Sequence, residues 1–161
     1  MISDLSVGIF VAALLALVIF FIWSKRAQKK RQLLNNLFIW LAAAYTSWIV
    51  PLIVMRFVPA DNLEVMYILD CMMQPGGALC SPLYLVIAIT FVSGHEKLEK
   101  WLKLLFILPV ATILVAWTNP LHHLYYQQFS VIRSSIVFGP YILVSGAFNY
   151  IVLQHFLPNL Y

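Results

Sequence analysis

The chain has 161 residues, of which 63% are hydrophobic and only 10% charged. Soluble globular domains carry charge on about a quarter of their residues, so that class is excluded, and a mean hydropathy of +0.90 with repeated apolar runs calls for a polytopic membrane protein. A net charge of +4 invites nucleic acid as a partner, but five of the ten Lys and Arg residues are Lys25, Arg26, Lys29, Lys30 and Arg31, directly after an apolar run; a basic cluster there orients a helix in a bilayer and touches anionic headgroups, and nucleic acid is excluded.

Val7 to Trp23 is the first expected span. The residues around Trp23 show no small-residue cleavage site, and the positive charge follows the apolar run instead of preceding it. Both points favour a retained helix over a signal peptide. Leu33 to Val58 is the second span, with Pro51 as a kink. Pro59-Ala60-Asp61-Asn62 is a turn that suits a helix start, with Asp61 or Asn62 as N-cap and Glu64 in the first turn.

The third span, Leu63 to Val92, is longer than a bilayer requires. Gln74-Pro75-Gly76-Gly77 falls in its middle, so the expectation is a kinked or discontinuous helix with Pro75, Gly76 and Gly77 as its hinge. Gly76, Gly77 and Ala78 would also admit close approach by a neighbouring helix. Cys71 and Cys80 lie in the same span without metal-ligand or redox spacing and read as small buried residues.

Gly94 to Lys100 is a short charged loop, Trp101 to Thr118 the fourth span with Pro109 inside it, and Tyr126 to Ser135 a polar loop containing Arg133. The fifth span is expected from Ile136 to Gln154. The whole is one all-α membrane helix bundle of about five spans over residues 1–161. With the N-terminus outside, the inner loops hold eight of the ten basic residues and the outer ones only Arg56 and Arg133, as the excess of Lys and Arg on the cytoplasmic side requires.

Trp101-Leu102-Lys103-Leu104-Leu105-Phe106-Ile107-Leu108-Pro109, leading into Thr118-Asn119-Pro120-Leu121-His122-His123-Leu124-Tyr125, resembles the N-terminal seven-helix membrane region of bacterial sensor histidine kinases, which also precedes some diguanylate cyclases. Phe138-Gly139-Pro140-Tyr141 through Ala147-Phe148-Asn149-Tyr150 is similar to a later helix of that region, and Pro82-Leu83-Tyr84-Leu85 through Gly94 to the end of its third. The resemblance implies a sensory input module of the bacterial cell membrane, acting on a cytoplasmic signalling domain or partner protein, and it implies a homodimer. It also implies seven helices where five spans are read here. Nothing in these residues resembles a phospho-accepting histidine segment, an ATP lid or a cyclase, so the expected output lies outside this sequence.

The Asn119-Pro120 turn with His122, His123, Tyr125 and Tyr126 is the polar corner of an otherwise apolar chain. Imidazoles titrate near neutral pH and bind metals, so His122 and His123 are candidates for ligand contact, proton sensing or loop capping. Adjacent histidines diverge on a helix and no third ligand stands out, so no metal and no cofactor is expected. Asp70 is costly this far into a span, and faces either a partner such as Arg133 or Arg56, or water. Asn119, Tyr141, Asn149 and Tyr150 complete the candidates, as interhelical hydrogen-bonding groups or as the lining of a pocket for a small-molecule, peptide or lipid ligand. Trp23, Trp101, Trp117, Tyr125 and Tyr126 read as an interfacial aromatic belt. Catalysis finds no phosphate loop, no nucleophile elbow and no His-Glu-x-x-His. The rival function is a small transporter or channel component, for which a broken helix beside Asp70 is the argument; a membrane enzyme using the two histidines ranks last.

Overall fold

The computed structural model describes residues 4–26, 32–59, 61–94, 97–130, 132 and 135–156. In chain order these form α1 (Asp4–Arg26), α2 (Gln32–Val54), α3 (Leu63–Ser93), α4 (Lys100–Leu104), α5 (Ile107–Trp117), α6 (Asn119–His122), β1 (Tyr126–Gln128), β2 (Val137–Phe138) and α7 (Tyr141–Phe156). Among the described residues three helical segments, Gln32–Val54, Leu63–Ser93 and Lys100–Trp117, are long and apolar enough to cross a membrane, and Gly8–Phe20 and Tyr141–Val152 are shorter apolar helices. The basic stretch from Lys29 to Arg31 and the loop residue Arg133 lie outside the described residues.

Local chemistry sets the ends of α3. The Asn62 side chain caps it by accepting the Val65 N–H at 3.2 Å, and Glu64 places a negative charge in the first turn, where the helix dipole favours it. Gly94 closes it with φ of 67°, a left-handed conformation, its N–H bonded to the Thr90 carbonyl. At 1.5 Å per residue its 31 residues reach about 46 Å, well beyond a hydrocarbon core of about 30 Å.

The helix is continuous through Pro75 and Pro82, so Gln74-Pro75-Gly76-Gly77 does not divide α3 in two. Close packing against α2 accompanies this stretch. A Cβ on Gly76 would fall 2.6 Å from the Trp48 Cβ and 2.7 Å from the Ala44 carbonyl oxygen, so only glycine lets α2 come this near. A Cβ on Gly77 would meet nothing within 4 Å.

The fourth span is divided, into α4 and α5. Pro109 has no N–H for the Leu105 carbonyl and its ring crowds that carbonyl. The chain tightens just before it, with Leu105 N–H bonded to Leu102 O at 3.3 Å and Phe106 N–H to Lys103 O at 3.2 Å, and α4 gives way to α5.

The last helix starts later than expected, at Tyr141 and not at Ile136. Val137 and Phe138 pair antiparallel with β1, Tyr126 opposite Phe138 and Gln128 opposite Val137. Their backbone groups are engaged in that ladder, and Gly139-Pro140 separates them from α7. The expected polar loop is therefore a short β-hairpin.

Two apolar clusters hold the bundle. One joins Leu37, Leu41 and Ala44 of α2 to Leu83, Val86 and Ile87 of α3 and Leu102 of α4. The other gathers Ala116, Tyr125 and Tyr126, with Tyr67, Phe129, Ile136 and Tyr141 packed around them, at the end of the bundle where α3 begins. The candidate site lies in this second cluster.

Candidate functional site

Pro120 begins the site by what it lacks. The Ala116 carbonyl, four residues earlier, would bond the N–H of residue 120 in a regular helix, and proline has none. Two side chains of α3 take that carbonyl: the Tyr67 hydroxyl donates to it at 2.6 Å and the Cys71 thiol at 3.6 Å. A sequence break in one helix thereby becomes a docking point for another.

Asn119 then folds the chain back. It is 4% exposed, and its Oδ1 accepts the N–H groups of Tyr125 at 2.8 Å and Tyr126 at 2.9 Å, while its Nδ2 donates to the Tyr126 carbonyl at 2.9 Å. One carboxamide thus satisfies three buried backbone groups of a tight corner.

His122 caps the same corner. Its Nδ1 accepts the Leu124 N–H at 3.0 Å, so that nitrogen carries no proton. The Thr118 hydroxyl spends its proton on the Leu114 carbonyl at 2.7 Å, so it accepts from His122 Nε2–H at 3.0 Å. The ring is therefore the neutral Nε2–H tautomer. His123 diverges from it, exposed and left-handed with φ of 52°. The two imidazoles do not form a pair, and among the described residues no three His, Cys, Asp or Glu side chains gather as metal ligands.

Tyr125 and Tyr126 are not interfacial aromatics. They are 6% and 5% exposed, stacked edge to face at 4.8 Å, with hydroxyls turned onto α3. Tyr126 Oη donates to Asp70 Oδ2 at 2.6 Å and Tyr125 Oη to Gln74 Oε1 at 2.7 Å. Gln74 Nε2 donates to the same Asp70 oxygen at 3.2 Å, closing a four-residue network. Asn119 turns both residues inward, where a buried hydroxyl needs a partner. Trp101 and Trp117 are about half exposed.

Both phenols hold their protons above the ordinary range. Burial, followed by the Asp70 charge, pushes Tyr125 up to about 12. The same two causes in the same order push Tyr126 higher still. Each remains a donor at any physiological pH.

Gly139 and Tyr141 lock the other side. The Gly139 N–H bonds the Tyr125 carbonyl at 2.8 Å and the Tyr141 N–H the Leu124 carbonyl at 3.1 Å. A Cβ on Gly139 would lie 2.1 Å from the Leu124 carbonyl oxygen and 2.8 Å from that of His123, so any side chain there displaces the corner. The Tyr141 hydroxyl reaches Thr112 Oγ1 at 3.3 Å, tying the start of α7 to α5.

Of the residues expected at the site, Asp70, Asn119, His122 and Tyr141 come together here, and His123 borders them. Asp70 is half-buried and engaged by Tyr126 and Gln74. Asn149 and Tyr150 do not join: Asn149 Oδ1 is enclosed along α7 with no hydrogen-bond partner among the described residues, and Tyr150 is exposed with its hydroxyl bonded by Gln154. Sequence reasoning missed Tyr67, Gln74 and Thr112, and misread Tyr125 and Tyr126. A signal for the α3 residues was present, because Tyr67, Asp70, Cys71 and Gln74 recur at the three- and four-residue spacing that puts side chains on one helix face.

A family model described as the N-terminal 7TM region of histidine kinase matches residues 7–156. No curated protein and no solved structure matches the chain.

Proposed function

The chain belongs to the family formed by the N-terminal 7TM region of histidine kinase, and from that premise we propose that it is the membrane-embedded sensory input module of a bacterial signal-transduction protein, passing an extracellular or intramembrane signal to a cytoplasmic output. The region is the non-catalytic part of such proteins. It sits in the bacterial cell membrane with the N-terminus and the His122 corner outside, the arrangement that puts the basic loops in the cytoplasm.

The observation that carries this reading is the bond of the corner to α3 through Tyr126 to Asp70 and Tyr125 to Gln74. A small-molecule, peptide or lipid ligand that favours an undocked corner shifts α3, and a helix of this length carries the shift across the bilayer. Such a ligand must bind one arrangement more tightly than the other. In this reading Pro75, where the helix lacks one backbone donor, with Gly76 and Gly77 beside it, is the hinge about which α3 shifts. The transporter alternative loses its argument, since α3 is helical throughout.

The test is phosphoryl output of the native full-length gene product in membranes, with Tyr126→Phe and Asp70→Asn introduced singly. The expected result is an altered basal or stimulated output from both. Unchanged output from both, at equal amounts in the membrane, would overturn the coupling.

A further inference from the structure

We propose that His122 is a proton-operated latch: a proton added at Nδ1 releases Leu124 and loosens the hold of the corner on the start of α7. Leu124 is bonded at both ends of its peptide groups. Its N–H rests on His122 Nδ1 at 3.0 Å and its carbonyl accepts the Tyr141 N–H at 3.1 Å, so one residue links the imidazole to α7. The neutral ring serves this geometry through a lone pair on Nδ1. Protonated, that atom becomes a donor facing another donor, and the contact turns from attraction to repulsion. Nε2 offers no escape, because it already donates to Thr118 Oγ1, whose own proton is committed to Leu114. Turning the ring over would place its nitrogens away from both partners.

Among the described residues, the groups around the ring leave the effect to His122. Thr118 faces it from the end of α5, and Leu124 from the loop. From the α7 side, Gly139 and Tyr141 present backbone N–H groups to the Tyr125 and Leu124 carbonyls, and the Tyr141 hydroxyl turns to Thr112. Tyr125 and Tyr126 direct their hydroxyls to Gln74 and Asp70 on α3. His123 is exposed in the left-handed conformation. Among the described residues His122 forms no ion pair that would hold a second proton in the closed corner. A proton at Nδ1 therefore costs the closed corner its bond to Leu124, a bond that the open corner does not have. The latch rests on the corner alone and not on the sensory reading, and its test reads the corner.

The experiment uses the intact chain in lipid nanodiscs, with hydrogen exchange of the Leu124 amide followed as a protection factor at about pH 8 and about pH 5.5, either side of the range in which imidazole ordinarily titrates. The expected result is a fall of about tenfold or more on acidification, the scale of one lost hydrogen bond. His122→Asn supplies a side-chain oxygen that can accept the same N–H two residues on without titrating, and its protection should not change with pH. Constant protection in the wild type, or an equal fall in His122→Asn, overturns the latch. A second readout needs no variant: imidazole nitrogen NMR at about pH 8 should show His122 protonated at Nε2 only, and a proton on Nδ1 refutes the proposal.

Discussion

The phenol of Tyr126 donates a 2.6 Å hydrogen bond to the carboxylate of Asp70, joining residues 56 positions apart in sequence. The ring that carries this hydroxyl also packs on Tyr125, Phe129 and Phe138, with centroids 4.8, 5.5 and 5.7 Å away. Tyr126→Phe keeps those ring contacts and deletes only the hydroxyl, with its donation to Asp70 and its 3.5 Å contact from Gln74 Nε2. It should lower stability by about 1–3 kcal/mol, the range for a hydrogen bond to a charged acceptor, read as a shift in the unfolding midpoint in detergent. Combined with Asp70→Asn it should cost less than the sum of the two, because Asp70→Asn takes the charge from the same bond that Tyr126→Phe removes.

Asn119 supports the corner from inside. Asn119→Ala strands two N–H groups and one carbonyl in a buried position, and should cost more than about 3 kcal/mol or prevent the corner from forming. Asn119→Asp keeps both acceptor contacts and loses the donor to Tyr126 O. Its stability should fall between alanine and wild type, and thermal unfolding of the three proteins side by side gives the order.

The two glycines of α3 should respond in opposite directions. Gly76→Ala drives a methyl against Trp48 and the Ala44 carbonyl, and should destabilise by about 1–3 kcal/mol, as overpacking does. Gly77→Ala meets open space and should gain about 0.5–1 kcal/mol from helix propensity. Unfolding midpoints decide it, and equal effects would mean that α2 does not pack against Gly76.

Alkali should open the corner from its phenols. Tyr125 is raised from 10.0 to about 12 by burial and the Asp70 charge, so the folded state prefers the neutral phenol. That preference is fully present below about pH 10, where the unfolded chain also keeps its proton, and is lost as pH rises toward 12. Tyr126 moves in the same sense. Tyrosinate absorbance should therefore appear late for these two residues and together with loss of tertiary structure. In Asp70→Asn, Tyr125 should titrate earlier.

The sequence by itself determined the class of this protein and the place of its corner. Long apolar runs have to become helices in a bilayer, because every backbone N–H and C=O must be satisfied within the segment. Those runs, the Asn62 cap and the Asn119-Pro120 turn are local patterns, and local patterns can be read from adjacent residues. The resemblance to the histidine kinase sensor region also rested on such stretches, and residues 7–156 match that family. The tertiary structure decided what the polar groups do. That Tyr125 and Tyr126 turn inward, that Gln74 bridges to them, that Val137 and Phe138 form a strand and that Gly76 but not Gly77 is needed all depend on contacts between distant parts of the chain. Pro109 and Pro75 make the same point: both remove a helical donor, yet the interruption lies just before Pro109, while α3 stays helical where α2 packs against Gly76. A side chain's periodicity gives the face it occupies, but its partner is set by whichever element the fold brings opposite.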